Sequence, residues 1–453
     1  MSAQAKKKSR KPSRSMEYNL LLTATLCLLA FGAVMVFSAS STTQVLGDGD
    51  LSNSTFFLKR TVIFGAVGLV IMHLLARHGL KLVANLTPVI LAVSFLLLIA
   101  VMGMGNTVNG ATRWIGGGFL QIQPSELAKA ALILYGAGVL AARPKMVRSL
   151  SGMAPYLLVV AAACALIMLQ PDLGTVMVTV FAVGATLVAA GARPRDLMLL
   201  AGGVGGATML LILFEPYRRE RLIGFLNPGA DAAGSGFQAI QAKIAMGSGG
   251  FTGVGIGDGV QKAYYLPEAH TDMIAAVIGE EVGLIGIAGI SVLFMLFGFA
   301  GFRIAQGAKD RYGKLLVAGL TALILVQAVI NLFAVMGMAP LTGVPLPFVS
   351  YGNSSLLVSL ACVGLMLNVA SGGTIASRRA TPKPRAAPAR AKSAPSRTGA
   401  AAANGKLRVV AGGGEGARRR ERSARGSAKG GHSRGRNSGT RRAGHGGRRR
   451  ASR

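Results

Sequence analysis

Apolar segments separated by short polar connections fill most of the chain, from residue 18 to residue 370. The hydrocarbon core of a bilayer requires roughly 20 apolar residues per helix, so each segment is a candidate membrane span. The predicted spans are 18–40, 61–76, 82–103, 124–142, 153–169, 173–191, 197–214, 273–298, 315–338 and 354–370. The first is too long for the apolar region of a cleaved signal peptide. The pattern predicts an all-α polytopic membrane protein with about ten transmembrane helices.

Basic residues in the short connections predict how these spans are oriented. With the N-terminus in the cytoplasm, the cytoplasmic connections carry Arg77 and Lys81; Arg143, Lys145 and Arg148; Arg193 and Arg195; and Arg303, Lys309, Arg311 and Lys314. Lys59 and Arg60 depart from this pattern. Both chain ends are then cytoplasmic, and one long extracytoplasmic loop covers residues 215–272. A connection of this length is usually either functional or disordered.

The ends of the chain carry most of its positive charge. The formal net charge is +32, and residues 371–453 contain 23 Lys and Arg against two Glu. We therefore divide the chain into a basic N-terminal segment (1–17), a membrane domain (18–370) and a basic cytoplasmic tail (371–453) predicted to be disordered. Anionic lipid and a cytoplasmic protein are both open as partners of the tail. Nucleic acid is not expected, because no aromatic residues interleave with the arginines.

Neither cysteine nor histidine spacing predicts a metal site or a disulfide framework. Cys27, Cys164 and Cys362 lie in apolar runs with no zinc-site spacing. His270 is the only histidine in the long loop, where a metal site would need further ligands.

Charged residues within or beside the apolar spans are the candidates for chemistry, because a charge in the membrane is costly. Glu126 and Lys129 stand three residues apart at the start of the fourth span, where they can pair on one helix face. A structural ion pair and the lining of a polar cavity both remain open for them.

Asp272 marks the start of the eighth predicted span. With Thr271 as the helix cap, the aspartate would lie in the first helical turn, where the helix dipole favours its charged form. A carboxylate beside a long polar loop is well placed to act as a general base, and an ordinary capping role is equally open. Glu280 and Glu281 follow about two turns deeper in the same predicted span.

Six stretches, in this order along the chain, carry a family resemblance. They are Asn109–Ile115, Gln123–Lys129, Gln170–Thr175, Tyr265–Asp272, Ile278–Glu281 and Gly343–Gly352. Over about residues 15–370 the chain resembles the SEDS family of peptidoglycan polymerases. The sequence of Leu266–Asp272 is more similar to the cell-division branch of that family than to its elongation branch. Asn353 and Met273 depart from the family pattern, which usually has Gly and Phe there.

The resemblance implies an inverting glycosyltransferase in the cytoplasmic membrane, at the division septum. It would join lipid II units into β-1,4 glycan and release undecaprenyl pyrophosphate. Asp272 matches the essential aspartate and is the expected general base. The expected substrate-binding residues are Glu126, Lys129, Arg113, Asp172 and Glu280. The implied partners are a class B penicillin-binding protein and other division proteins, and stimulation by Mg²⁺ or Mn²⁺ is expected without a dedicated metal site.

Two other functions remain open from the sequence. A lipid II flippase would also need charges inside the helices, but it would need them accessible from both sides, whereas Glu126, Lys129, Asp172 and Asp272 all lie towards the outer face. A non-catalytic scaffold of the division complex would use the basic tail for docking. An elongation-type polymerase is the alternative within the same family.

Overall fold

The computed structural model describes residues 15–45, 56–108, 111–117, 120–234 and 236–375. Its long helices are α1 (Met16–Val45), α2 (Phe56–Leu74), α3 (Leu80–Met104), α4 (Pro124–Ala142), α5 (Leu150–Met168), α6 (Leu173–Ala190), α7 (Pro194–Phe214), α12 (Gly283–Gly307), α13 (Arg311–Val335) and α14 (Asn353–Ala370). Four shorter helices are α8 (Pro216–Leu226), α9 (Phe237–Ser248), α10 (Gln261–Tyr264) and α11 (Ile274–Glu281). Most of the predicted tail 371–453 and of segment 1–17 lies outside the described residues.

The helices account for every predicted span. Nine continuous helices among the described residues are long and apolar enough to cross a membrane, and one of them, Phe56–Met104, has 49 residues. At 1.5 Å per residue this helix is about 74 Å long, more than twice the roughly 30 Å core of a bilayer. It divides into α2 and α3 at a π-helical turn, Leu75–Gly79. The prediction of a polytopic helical membrane protein is confirmed.

The π-helical turn is stabilised from a distant helix. The side-chain amide of Asn368 donates to the carbonyl oxygens of Leu75 and Ala76, at 3.0 and 2.9 Å. A π-turn disturbs the regular helical hydrogen bonds, so its carbonyl groups need such donors. On either side of the turn, α2 packs on α14 and α3 packs on α4.

The connection between α3 and α4 forms a small antiparallel sheet that the sequence analysis did not predict. Its strands are β1 (Asn106–Val108), β2 (Ala111–Gly117) and β3 (Leu120–Ile122), in the order β1-β2-β3. Asn106 is opposite Trp114, and Ile115 is opposite Ile122. The sheet carries Arg113 on its central strand.

The predicted start of the eighth span, residue 273, is wrong. Residues 274–281 form the separate helix α11, and the span itself is α12, which begins at Gly283. Gly283 has φ +70, and a Cβ there would lie 2.4 Å from the amide nitrogen of Gly253. Only glycine adopts this left-handed conformation easily in so close a contact. The long loop therefore covers residues 215–282, and Glu280 and Glu281 belong to it rather than to the span.

The long loop is folded and packs into the helical domain. All eight residues of α11 are buried, and α11 packs on α9, α12 and α1. Helix α13, most of which is buried, packs on α6, α12 and α4. Between α13 and α14, residues 336–352 run without a regular helix or strand. This irregular segment and the long loop together position the candidate site.

Candidate functional site

Asp272 lies in the turn that leads into α11, and it is half-buried. The helix begins at Ile274 with Met273 as its N-cap and no side-chain cap hydrogen bond, so the predicted cap at Thr271 is wrong. The Thr271 hydroxyl lies 3.0 Å from the Glu268 carboxylate and 3.2 Å from Oδ1 of Asp272. Glu268 has φ +56, a conformation that non-glycine residues adopt rarely. One hydroxyl thus lies between two carboxylates in a strained turn.

Burial, and after it the nearby negative charge of Glu268, raise the pKa of Asp272 to about 6. The hydrogen bond from Thr271 and the positive charge of Arg221 act in the opposite direction. Such a carboxylate is largely ionised at neutral pH and is a stronger base than a solvated one. Burial lowers the pKa of neighbouring His270, with Glu268 opposing.

The backbone of Asp272 is tied to the irregular segment 336–352 through one amide. The Asn331 side chain on α13 donates to the carbonyl oxygens of Asp272 and Val344, both at 2.8 Å. One turn earlier on the same helix, the Gln327 amide donates to the carbonyl oxygen of Pro345 at 3.1 Å. These two amides therefore fix the irregular segment and the backbone of Asp272 to the same helix, α13.

Arg113 and Asp172 meet beside the same segment. Nη1 of Arg113 lies 3.9 Å from Oδ1 of Asp172, and Arg113 also donates to the backbone carbonyls of Gln170 and Pro171. The Asp172 carboxylate caps α6 by accepting from the amide and the hydroxyl of Thr175.

Gly343 lies between Arg113 and Asp272. A Cβ on this glycine would be 3.8 Å from Oδ2 of Asp272 and 3.9 Å from Nη1 of Arg113. The two charged groups therefore both border the small space beside Gly343. The structure thus brings together Asp272, Arg113 and Asp172 of the predicted site residues.

Glu126 and Lys129 form the predicted pair, at 2.9 Å, and both side chains are almost fully buried. Nζ of Lys129 also lies 2.9 Å from Oε1 of Gln327. Gln327 in turn binds the Pro345 carbonyl, so the pair is linked to the irregular segment near Gly343 by one side chain. Lys129 therefore has two acceptors within the protein. A structural ion pair accounts for this arrangement without a ligand.

The structure places Glu280 apart from these groups. Its Oε1 accepts from the backbone amides of Val260 and Gln261, at 2.8 and 3.0 Å. No hydrogen bond among the described residues links it to Asp272 or to the Glu126–Lys129 pair. A substrate-binding role for Glu280 stays a prediction.

Aromatic contacts hold the residues around His270. The Phe57 ring lies 4.5 Å from the His270 ring and 4.9 Å from the Tyr351 ring, and the amide of Tyr351 donates to the His270 carbonyl at 2.9 Å. Arg60, which departed from the predicted charge pattern, is buried against Tyr351. With its amide oxygen turned towards the guanidinium, Asn353 accepts from Nε and Nη2 of Arg60.

A cavity of about 510 Å³ opens beside the site, between the long loop and the end of α13. Arg221, Gln238 and Lys243 are among the residues that line it. Arg221 connects the cavity to the candidate base, because it donates to the Leu341 carbonyl at 3.3 Å and its charge lowers the pKa of Asp272. Glu220 and Asp231 also line it, so its two cationic side chains stand beside two acidic ones, and its size suits a polar headgroup.

Within the part of the chain that the structure describes, no group of three or more His, Cys, Asp or Glu side chains is arranged to hold a metal ion. The described residues therefore offer no ligand set for Mg²⁺ or Mn²⁺. Stimulation by either cation stays a prediction.

Comparison with known proteins places this arrangement in a family. Residues 18–374 match the family described as cell cycle protein, FtsW/RodA/SpoVE. The chain belongs to this family. The FtsW/RodA/SpoVE match covers all the helices described above except the first two residues of α1, and it ends at the start of the basic tail, so it includes every residue of the candidate site.

Relatives and solved structures agree with the family assignment. The chain is 41% identical to a probable peptidoglycan glycosyltransferase FtsW of Trichlorobacter lovleyi, over 80% of this chain and 96% of that protein. It is 41% identical to the stage V sporulation protein E of Bacillus subtilis, over 77% and 96%. A subunit of a solved peptidoglycan synthase complex, studied for its coordination of polymerization and crosslinking, is 31% identical with a TM-score of 0.63, over 77% and 96%.

Sequence reasoning did not identify Gln327 and Asn331. Both stand in an apolar span one turn apart, and polar side chains in a span are uncommon enough to be a signal. Their role depends on a segment that passes them in space, which the local pattern does not reveal.

Replacing Asn331 with Leu is expected to destabilise the protein. The carbonyl oxygens of Asp272 and Val344 would lose their donor, and each buried acceptor left unsatisfied costs about 1–3 kcal/mol. Thermal unfolding in detergent measures the effect. Val329→Ala, on an exposed position of the same helix, is the matched control. Equal midpoints for the two variants would contradict the assignment of Asn331.

Proposed function

We propose that this protein is a peptidoglycan glycosyltransferase of cell division that polymerises lipid II into β-1,4 glycan at the outer face of the membrane. Relatives named peptidoglycan glycosyltransferase FtsW match the chain over nearly their whole length. The observation that carries the proposal is the half-buried carboxylate of Asp272 facing the same space as the Arg113 guanidinium. A base and a cation on either side of one small space suit transfer of a sugar from a pyrophosphate.

In this proposal the reaction inverts the configuration of the donor sugar. Asp272 takes the proton from the acceptor sugar hydroxyl as that oxygen attacks the anomeric carbon of the donor. The bond from that carbon to the pyrophosphate breaks, and undecaprenyl pyrophosphate leaves. Arg113 offsets the negative charge that develops on the leaving group, the kind of electrostatic stabilisation that often dominates catalysis. Its side chain is 22% exposed, whereas that of Lys129 is 2% exposed, so Arg113 is the cation within reach of a ligand.

The cavity lined by Arg221 and Lys243 is the proposed position of a lipid-linked headgroup. Arg221 connects it to Asp272, and the cationic groups of Arg221 and Lys243 are suited to phosphate oxygens. Asp172 contributes indirectly by pairing with Arg113 and fixing the start of α6.

A crosslinking transpeptidase, a class B penicillin-binding protein, is the proposed partner. The solved complex that contains a subunit similar to this chain coordinates polymerization and crosslinking. The cytoplasmic membrane at the division septum is the proposed location, since relatives named FtsW match the chain at 37–41% identity. The basic tail is proposed to contact anionic lipid or a cytoplasmic division protein.

Asp272→Asn is expected to abolish polymerisation of purified lipid II by the protein and its cognate transpeptidase. The variant keeps the shape of the side chain but accepts no proton. Because the folded-state pKa of Asp272 lies above its unfolded value, ionisation of Asp272 opposes folding at neutral pH. The variant should therefore unfold at the wild-type temperature or above it.

Three other results of this experiment would change the conclusion. Absence of polymer from the wild type, with lipid II movement across liposomes intact, would favour the flippase. Polymer from both proteins would keep the enzyme and transfer the search for the base to Glu126 or Glu280. A lower unfolding temperature for Asp272→Asn would contradict the stability argument.

The rate of polymerisation is expected to rise with pH through about 6, where Asp272 loses its proton. Below that pH the carboxyl is protonated and cannot act as a base. Glu268→Gln removes a negative charge that raises the pKa of Asp272, so the acid limb of the pH–rate profile should move to lower pH. An acid limb near 4 that Glu268→Gln does not move would contradict the assignment.

Lys243→Met is expected to raise KM for lipid II several-fold while leaving kcat close to that of the wild type. Lys243 lines the cavity and is not among the charges that shift the pKa of Asp272. Arg303→Met is the matched control, because Arg303 is exposed and, among the ion pairs of the described residues, approaches only Glu17. A KM that changes equally in both variants would remove the cavity from the binding site.

A further inference from the structure

A second buried ion pair lies inside the long loop, away from the reacting groups. Nζ of Lys262 is 2.5 Å from Oε1 of Glu281, and neither side chain is exposed. Lys262 also donates to the Gly257 carbonyl at 2.8 Å and to the Ser38 hydroxyl at 3.1 Å. Its three N–H donors thus have three acceptors, which is what a buried ammonium group requires.

This pair connects the two ends of the segment that contains Asp272. Lys262 stands ten residues before Asp272 and Glu281 nine residues after it. Adjacent Glu280 binds the backbone amides of Val260 and Gln261. Two consecutive glutamates at the end of α11 therefore close residues 260–281 into a loop, with Asp272 near its middle.

The closed loop is anchored to a membrane helix through Ser38. The Ser38 hydroxyl lies 2.8 and 2.6 Å from the two carboxylate oxygens of Glu281, and Ser38 belongs to α1. From the other side, the backbone of residues 253–255 wraps the end of α11, since the amides of Val254 and Gly255 donate to the carbonyls of Glu280 and Glu281. A Cβ on Gly253 would lie 2.1 Å from the Glu281 carbonyl oxygen, so no other residue allows this approach.

We propose that Lys262, Glu281 and Ser38 form a clasp that positions Asp272 for catalysis. The inference rests on the proposed role of Asp272 as the general base. The three are positioning residues, because none of them contacts the space between Asp272 and Arg113. The clasp fixes the ends of the loop on α1, while Asn331 fixes its middle on α13. Releasing the ends allows the turn 268–273 to shift relative to Arg113, and a misplacement of about 1 Å can cost on the order of 10²-fold in rate.

The test compares Ser38→Ala and Lys262→Met with the wild type, in the full chain with its transpeptidase and purified lipid II. Both variants are expected to lower kcat, Lys262→Met by on the order of 10²-fold and Ser38→Ala less, with KM unchanged. Ser40→Ala is the matched control, since Ser40 is buried on the same helix but its hydroxyl binds only the carbonyls of its own helix in the described contacts. The control should keep the wild-type kcat.

A second measurement separates positioning from loss of stability. Lys262→Met/Glu281→Leu removes both buried charges and should restore the unfolding temperature, while kcat stays low because Ser38 and Gly257 are no longer engaged. Full recovery of kcat in this double variant would overturn the clasp. A KM that rises in step with the loss of kcat would overturn it as well.

Hydrogen–deuterium exchange tests the clasp without any enzymatic activity. The amides of Thr271 and Met273 donate to the Glu268 carbonyl, and they should exchange faster in Lys262→Met than in Ser40→Ala. Unchanged exchange there would overturn the clasp even if the wild type is active. Absence of polymer from the wild type would instead overturn the proposed function, and faster exchange in Lys262→Met would still support the clasp as a structural device.

Discussion

The site depends on how the chain satisfies a stretch of irregular backbone inside a helical membrane bundle. Non-helical backbone there must find its hydrogen-bond partners within the protein, because lipid offers none. Residues 336–352 find them on α13, where Gln327 and Asn331 donate to the carbonyls of Pro345 and Val344. The same two amides also reach Lys129 and Asp272. The same side chains therefore satisfy the irregular backbone and assemble the site.

Burial separates the charged residues that can do chemistry from those that hold the fold. The Glu126–Lys129 and Lys262–Glu281 pairs are almost fully buried and have protein partners. A buried pair is costly to break, so its first role is to fix the elements that carry it. Asp272 differs because it is only half-buried, shares one hydroxyl with a second carboxylate and has a raised pKa. Perturbed groups of this kind are typical of functional sites.

The sequence predicted what depends on local pattern and missed what depends on contacts between distant residues. The spans and the Glu126–Lys129 pair were predicted, because helix length and an i, i+3 spacing are local properties. The break between α11 and α12 was missed, since Ile274–Ile278 is as apolar as the span that follows and the break depends on Gly283 meeting residues 251–253. The pairing of Arg113 with Asp172 and that of Lys262 with Glu281 arise from the fold, and spacing along the chain gives no sign of either.

The turn that carries Asp272 is held by helices rather than by the loop to which it belongs. Asn331 fixes it on α13, the Tyr351 amide fixes the His270 carbonyl beside α14, and Ser38 fixes the closed loop on α1. A strained residue such as Glu268 persists only where its surroundings determine its conformation from several sides. Two anchors on membrane helices and one in the irregular segment beside α14 supply that determination. A carboxylate in a long loop can thus be placed as accurately as one on a helix, because its position is set by the packing of the bundle.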